Sequence, residues 1–391
     1  MIARRHKPII EKALTQFPVT VLTGARQAGK TTLARHVWPN ARYVSLDDPA
    51  EASQAQHTPD AFLARHAPPV VFDEIQYAPE IFRHLKRAVD RDRQPGRYLL
   101  TGSQAFNLMG GVSESLAGRT AVLTLPTLAV DEVFPAATRD DLDRFLWRGG
   151  FPELWARPDL SRDLWMGSYV ATYLERDVRQ ALNVGDLRDF DRLLRAAALR
   201  TGQLLSYADL ARDVGIAPNT AKRWLSVLAA SQQIFLLEPY HQQRAKRLIK
   251  APKLYFNDTG LLCHLLGFEH IGALQNHAMW GAVWESFVVA ELRKRMQATM
   301  RPRPMWFWRT AQGDEVDLLI ETGPTEFVAV EVKTSERVGE ADLRGLHKLA
   351  DEYGPRAITA ARVVCRTETP YPVGSDPAHF AVPLAALDVA V

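Results

Sequence analysis

Gly24-Ala25-Arg26-Gln27-Ala28-Gly29-Lys30-Thr31 is the stretch that decides how the first third of the chain folds. It fits G-x-x-x-x-G-K-[ST] without a gap. The run before it, Pro18-Val19-Thr20-Val21-Leu22-Thr23, is short, β-branched and apolar, as a strand buried on both faces of a parallel sheet should be. The run after it, Thr32 to Trp38, reads as a helix stopped by Pro39. A chance glycine turn before a helix is the competing reading, and both flanks argue against it.

The chemistry asks for these residue types. Glycines let backbone N–H groups wrap a phosphate, and the helix that follows adds its positive N-terminal end. Gly24, Ala25, Arg26, Gln27, Ala28, Gly29, Lys30, Thr31 and Thr32 are therefore the expected nucleotide contacts. Lys30 would reach the β- and γ-phosphates of ATP, and the Thr31 hydroxyl would ligate Mg²⁺. Downstream, Val70-Val71-Phe72-Asp73-Glu74 is an apolar run closed by two acids, the pattern of a Walker B strand. Asp73 is expected to hold the metal through water, and Glu74 to orient or deprotonate the attacking water.

Around these motifs strands alternate with helices: Arg42 to Leu46, the Walker B strand, Arg97 to Ser103 and Thr120 to Thr127. That alternation predicts a parallel, doubly wound α/β sheet. The strand ending at Ser103 sits where AAA-type ATPases keep a polar residue that senses the γ-phosphate, so Ser103 or Gln104 is the candidate. The usual residue there is Asn. Arg119, just before the last strand, is the candidate for the arginine that such ATPases present to a neighbouring subunit's nucleotide, with Arg148 and Arg176 as rivals and a surface role as the alternative.

Length and composition set the outer bounds. A chain of 391 residues with 47% hydrophobic content implies more than one domain, each able to bury a core. The net charge of +3 announces no nucleic-acid partner by itself, so local clusters must carry that argument. Cys263 and Cys365 stand far apart with no C-x-x-C spacing, which suggests neither a disulfide framework nor a zinc site. No apolar signal core follows the basic N-terminal residues, and no apolar run approaches a membrane span. The expectation is a soluble, cytoplasmic protein.

From residue 138 to 200 the pattern is helical, with tryptophans and tyrosines spaced as core packing. Then come Tyr207 to Val214, a stop at Gly215, and a second helix from Asn219 that carries Lys222 and Arg223. Two short helices around a glycine-containing turn are a helix-turn-helix signature. The strand-like runs Ile234 to Leu237 and Lys253 to Phe256 enclose a basic wing. Its cations are Arg244, Lys246, Arg247, Lys250 and Lys253, with no acid among them. Together with Lys222 and Arg223 they form the expected DNA-binding surface, against a lid or protein-contact module as the alternative.

The C-terminal part suggests a second chemistry. A helix from Trp280 to Leu292 precedes strand-like runs at 305–309, 315–321 and 327–334. Alternation puts Glu331 and Lys333 on one strand face, and a hairpin would bring Asp317 beside them. Two carboxylates and a lysine meeting in this way suit metal-assisted phosphodiester hydrolysis. Asp317 and Glu331 would hold Mg²⁺ or Mn²⁺, Lys333 would steady water or developing charge, and Glu285 would add a ligand from the helix. An ordinary Glu-Lys pair at a strand end is the rival reading.

In this order the parts resemble prokaryotic AAA-family ATP-binding proteins that join an N-terminal P-loop ATPase to a C-terminal domain of uncharacterised function with a PD-(D/E)XK nuclease-like core. Besides the motifs above, the matching stretches are Thr101-Gly102-Ser103, Leu116-Ala117-Gly118-Arg119, Gly149-Gly150-Phe151-Pro152-Glu153, Tyr173 to Asp177 and Asn257-Asp258-Thr259-Gly260-Leu261. The resemblance implies ATP hydrolysis in a homo-oligomer, a hexamer being one form. It also implies a winged-helix middle and a restriction-endonuclease-like α/β end. A Gln-x-x-x-Tyr element of related exonuclease domains is missing near Leu346 to Tyr353. The expected division is 1–137 ATPase, 138–200 helical lid, 201–256 winged helix and 257–391 nuclease-like domain. The function that follows is an ATP-hydrolysing AAA-type ATPase acting on DNA, branched or broken DNA being one candidate form, with a nuclease-like C-terminal domain. Its rivals are a nucleotide switch for a protein partner and a DNA-remodelling motor that does not cut.

Overall fold

The computed structural model describes residues 2–103, 115–174, 187–240, 251–376 and 378–387. The candidates Gln104, Arg176, Arg244, Lys246, Arg247 and Lys250 lie outside the described residues.

Strands β1 (Val19–Thr23), β2 (Arg42–Ser45), β3 (Val70–Asp73), β4 (Tyr98–Thr101) and β5 (Thr120–Thr124) form one sheet in the order β2-β3-β4-β1-β5, every pair parallel. All five residues of β1 are buried, because both faces of the sheet are covered. Val19 and Val21 point to the face packed by Phe82, Leu85 and Val89 of helix Ile81–Arg91. Leu22 points to the other face, packed by Ile10 and Leu14 of α1 (Lys7–Gln16) and Leu33 of α2 (Lys30–Val37). Since β4 lies between β1 and β3, the polar end of β4 falls between the P-loop and the Walker B acids.

The middle of the chain is helical: α3 (Arg139–Arg148), α4 (Arg162–Tyr169), α5 (Leu187–Ala198), α6 (Tyr207–Val214) and α7 (Pro218–Ala230). Ser206 caps α6 by accepting from Asp209 N, and Gly215 ends it at φ 85°. After α7 come β6 (Ile234–Leu237) and β7 (Lys253–Phe256), an antiparallel pair with Leu237 opposite Lys253. Next are α8 (Thr259–Leu266) and the 18-residue α9 (Trp280–Gln297). The C-terminal sheet is mixed and six-stranded, in the order β12-β13-β11-β10-β9-β8. Its strands are β8 (Met305–Arg309), β9 (Glu315–Gly323), β10 (Glu326–Val332), β11 (Ile358–Val364), β12 (Tyr371–Pro372) and β13 (His379–Val382). The β9–β10 hairpin is antiparallel, whereas β10 and β11 are parallel.

One apolar core runs from Leu128 to Leu387 and takes in Phe145, Tyr169, Leu225, Tyr255, Phe287 and Val330. The helical segment, the α6–α7 unit and one face of the C-terminal sheet thus share a core. Their joint explains two of the motifs. Asp258 accepts from Leu261 N at 3.1 Å, capping α8, and from Gly150 N at 2.8 Å. A Cβ on Gly150 would stand 2.3 Å from Leu128 O, so the chains cross too closely for any side chain there.

Candidate functional site

The P-loop leaves β1 at Gly24, whose φ of +144° and approach to Leu125 O, 2.2 Å from a built Cβ, admit only glycine. Gly29, at φ 88°, starts α2, so the loop's N–H groups and the helix N-terminus converge. Lys30 is buried, and its Nζ donates to Gly24 O at 3.1 Å and Ala25 O at 2.8 Å, which holds the ammonium inside the loop.

Asp73 is the centre of the site. Its Oδ2 accepts from Thr31 Oγ1 at 2.8 Å and from the Tyr43 hydroxyl at 2.5 Å, while Oδ1 accepts from Thr101 Oγ1. Thr31 and Asp73 therefore bring hard oxygen donors together at the phosphate end of the loop, a set that suits Mg²⁺. Burial, then the Asp73 carboxylate, push the Tyr43 phenol up to about 12 and keep it a donor. Glu74 adopts φ 56°, which is uncommon for a residue with a side chain. That turn aims its carboxylate at Ser103 Oγ, which donates to Oε2 at 3.3 Å, and at Gln76, whose amide donates to the same oxygen. Lys30, Thr31, Asp73, Glu74 and Ser103 are thus brought together.

Tyr43 carries no motif signal, and Thr101, part of the Thr101-Gly102-Ser103 stretch, carried no assigned role; the sheet order delivers both from strands flanking β3. Arg4 is a third residue that sequence reasoning missed. Its buried guanidinium donates to Ala28 O at 2.8 Å, Pro126 O at 2.6 Å and Glu132 Oε1 at 3.2 Å, which pins the N-terminal segment against the P-loop. Beside it lies a cavity of about 270 Å³ lined by Ile2, Leu33, Leu128, Pro152 and Ala156, with Gln27, Gly29 and Thr32 at its phosphate side. An apolar slot next to a phosphate loop suits a nucleobase.

Arg119 is not brought to this site. It precedes β5, which runs parallel beside β1 with Val19 opposite Thr120, so it sits a strand length of about 17 Å from the P-loop end of the sheet. Both oxygens of Asp90 hold its guanidinium, at 2.7 and 3.1 Å. The rival Arg148 is spent on backbone, donating to Leu154 O at 2.9 and 2.7 Å.

The second set of candidates meets in the C-terminal sheet. Asp317, Glu331 and Lys333 line a cavity of about 410 Å³ together with Asp314 and Glu315. Asp317 Oδ2 accepts from Val332 N at 2.8 Å, and Lys333 Nζ donates to Glu331 Oε2 at 3.2 Å. Burial, then the Asp317 charge, push the Glu331 carboxyl well above the usual range. Glu315 and Asp317 also meet Glu285, with one ligand oxygen from each of the three within 4.8 Å of the others.

Lys253 fills that cluster. It was expected on a DNA-binding wing, but its side chain is 3% exposed, and alternation along β7 turns it inward with Tyr255. Its Nζ lies 2.8 Å from Glu285 Oε1 and 4.0 Å from Asp317 Oδ1, and it pairs with Glu315. The Tyr255 hydroxyl donates to the same Glu285 oxygen at 2.5 Å. Burial would lower the Lys253 pKa, but Glu285, Asp317 and Glu315 outweigh it and hold the ammonium above its usual value. Glu285, the candidate metal ligand from the helix, is paired with this lysine. Burial and the Asp317 charge push it up to about 7.

The chain divides among three known sequence families. Residues 16–134 match the AAA domain, 139–271 match domain of unknown function DUF8612, and 280–387 match domain of unknown function DUF4143. It is 38% identical over 315 residues to "Uncharacterized protein Rv2008c" of Mycobacterium tuberculosis (strain ATCC 25618 / H37Rv), covering 80% of this chain and 69% of that one. The same figures hold for "Uncharacterized protein Mb2031c" of Mycobacterium bovis. The chain belongs to the family of these mycobacterial proteins. Its N-terminal part is a P-loop ATPase domain of the AAA type.

Among solved structures it is similar to the Walker-type ATPase PABY2304 of Pyrococcus abyssi, at 16% identity and a TM-score of 0.45, over 68% of this chain and 96% of that one. It is also similar to AMPPCP-bound DnaA from Aquifex aeolicus, at 12% identity and a TM-score of 0.29, over 59% and 89%. No described helix is long and apolar enough to cross a membrane.

A divalent metal does not fit among Glu285, Glu315 and Asp317 while Lys253 is there. The oxygens it would need are those that hold the Lys253 ammonium, and the other oxygen of Asp317 is committed to Val332 N.

Proposed function

We propose that this chain is an ATP hydrolase whose nucleotide cycle acts on DNA, and that its C-terminal domain grips without cutting. The convergence of Thr31, Asp73, Glu74 and Ser103 at the phosphate end of the P-loop carries the hydrolytic part. Lys30 would exchange the carbonyls of Gly24 and Ala25 for phosphate oxygens. Thr31 and Asp73 would hold Mg²⁺, which neutralises charge on the phosphates. Glu74 would orient the attacking water, and its bond to Ser103 supports Ser103 as the residue that links Glu74 to the γ-phosphate. The slot beside Arg4 would take the base.

The DNA part rests on α7. Ala221, Trp224, Leu225 and Leu228 face the core, which leaves Asn219, Lys222, Arg223 and Ser226 exposed on one acid-free face behind a free helix N-terminus. A winged-helix reading of α6, α7 and the β6–β7 pair makes α7 the helix that enters a groove. The Lys253-filled cluster supports grip over cleavage. Assembly into a homo-oligomer belongs to the same reading. Neither Arg119 nor Arg148 reaches the P-loop from within the chain, and an arginine supplied by a neighbour raises turnover strongly in P-loop ATPases.

The test is ATP hydrolysis by the wild type and Lys30→Ala with single-stranded, duplex, forked and four-way DNA. Hydrolysis lost in Lys30→Ala and stimulated by one DNA form is the expected result. Hydrolysis that survives Lys30→Ala overturns the site assignment. Hydrolysis indifferent to every DNA points instead to a protein partner.

A further inference from the structure

Beside the Asp317–Glu331 pair that the nuclease-like resemblance singles out, the C-terminal sheet gathers a second set of carboxylates that shares Asp317, and that set already holds a cation. Glu285 comes from α9, and Glu315 and Asp317 from β9. Their oxygens converge as ligands of a cation should. The cation at the convergence is the Lys253 ammonium, 2.8 Å from Glu285 Oε1 and ion-paired with Glu315. We propose that Lys253 is the resident cation of this cluster and that it excludes divalent metal, so the C-terminal site is locked by a residue of the neighbouring unit.

The argument is electrostatic and geometric. Three half-buried carboxylates within 4.8 Å of one another repel unless a cation lies among them, and the buried Lys253 ammonium is such a cation. A divalent ion or an ammonium can meet that need, but one position cannot hold both. Lys253 is held there by backbone on both sides: it pairs with Leu237 across the hairpin and bridges to Leu204. Phe307 places a ring face 5.6 Å from the ammonium, and Tyr255 closes the same pocket with its hydroxyl on Glu285. Withdrawing the ammonium therefore means moving β7. The lock ties the α6–α7 unit to the C-terminal sheet, and opening the cluster is coupled to movement of that unit.

The test uses the full chain without nucleotide or DNA, so its outcome is independent of the ATPase and DNA readings. Mn²⁺ is titrated by calorimetry and by its effect on thermal melting. The wild type should show no saturable Mn²⁺ site, and no Mn²⁺-induced shift in melting temperature, that Asp317→Asn removes. Lys253→Met, close to isosteric but uncharged, should melt lower and gain a site that binds Mn²⁺ about tenfold or more tighter than the wild type does. Mn²⁺ should raise its melting temperature, and adding Asp317→Asn should abolish the gain. If Lys253→Met does not fold alone, Lys253→Met/Glu315→Gln removes one repelling charge and carries the same comparison. Mn²⁺ binding by the wild type that Asp317→Asn removes overturns the proposal. Failure of both lysine variants to bind Mn²⁺, or to fold when it is supplied, overturns it equally.

Discussion

Acid should loosen the N-terminal segment from the P-loop, through His6. The side chain is 2% exposed, its Nε2 has no hydrogen-bond partner, and it lies beside the Arg4 guanidinium that ties this segment to Ala28. Burial first, and the Arg4 charge second, lower its pKa from 6.5 to about 4, against Glu132 and a backbone contact at Thr124. The folded value is depressed, so the unfolded chain takes a proton below about pH 6.5 while the folded chain resists until about pH 4. Stability contributed by neutral His6 is therefore complete above pH 6.5 and is lost as the pH falls through that window. The difference, 6.5 minus about 4, is about 2.5 units, which at about 1.36 kcal/mol per unit amounts to roughly 3 kcal/mol.

Urea denaturation of the wild type and His6→Gln at several pH values between 7.5 and 4 measures it. Carboxylates titrate in both chains, so the difference between the two curves is the quantity that counts. Wild-type stability should fall more steeply by roughly 3 kcal/mol over the window. Nucleotide affinity should fall with it, because Ile2 and Arg4 wall the cavity beside the P-loop. Parallel pH curves for the two chains would refute the assignment of this linkage to His6.

The other expectations are more direct. Gly24→Ala should abolish nucleotide binding and destabilise the chain by about 2 kcal/mol or more, because the new Cβ meets Leu125 O at 2.2 Å and φ is +144°; an ATP affinity within twofold of wild type contradicts it. Asp258→Ala should cost about 2–3 kcal/mol in chemical denaturation, since it strips a cap from Leu261 N and leaves Gly150 N buried and unsatisfied; an unchanged midpoint argues that the joint at Gly150 bears no strain. Lys222→Glu/Arg223→Glu should weaken binding to every duplex and lower the slope of log K against log salt by about 2, one per lost phosphate contact; an unaltered salt slope removes α7 from the DNA interface.

Where function depends on consecutive residues, the sequence was readable. The P-loop and the Asp73-Glu74 pair are each set by a strand end and the turn after it. Asp317, Glu331 and Lys333 were also readable as neighbours, because strand alternation and one hairpin relate them. Tyr43 and Arg4 were not, nor was the role of Thr101 within its motif. Each reaches the nucleotide site through a neighbouring strand or a preceding segment, and the order β2-β3-β4-β1-β5 that brings them there is a property of the whole sheet. The Gly149-Gly150 and Asn257-to-Leu261 motifs were visible without a reason, which emerged only when Asp258 was found bonded to Gly150.

Lys253 marks the limit of reading charge along a chain. In sequence it closes a run of cations and looks like their equal. A lysine whose neighbours are solvated is worth little to the fold, whereas a buried one needs the carboxylates it faces to stay ionised. Which of these Lys253 is depends on Glu285, Glu315 and Asp317, acids that arrive on a helix and a strand many residues later. The local hint was its place in Lys253-Leu254-Tyr255-Phe256, where all four residues are buried. A lysine at the start of a fully buried strand requires an acidic partner, and that requirement argues against DNA contact. The same reasoning bears on metal binding: the carboxylates of Glu285 and Glu315 already have a covalently tethered cation between them, so a divalent ion at that position would have to displace the Lys253 ammonium.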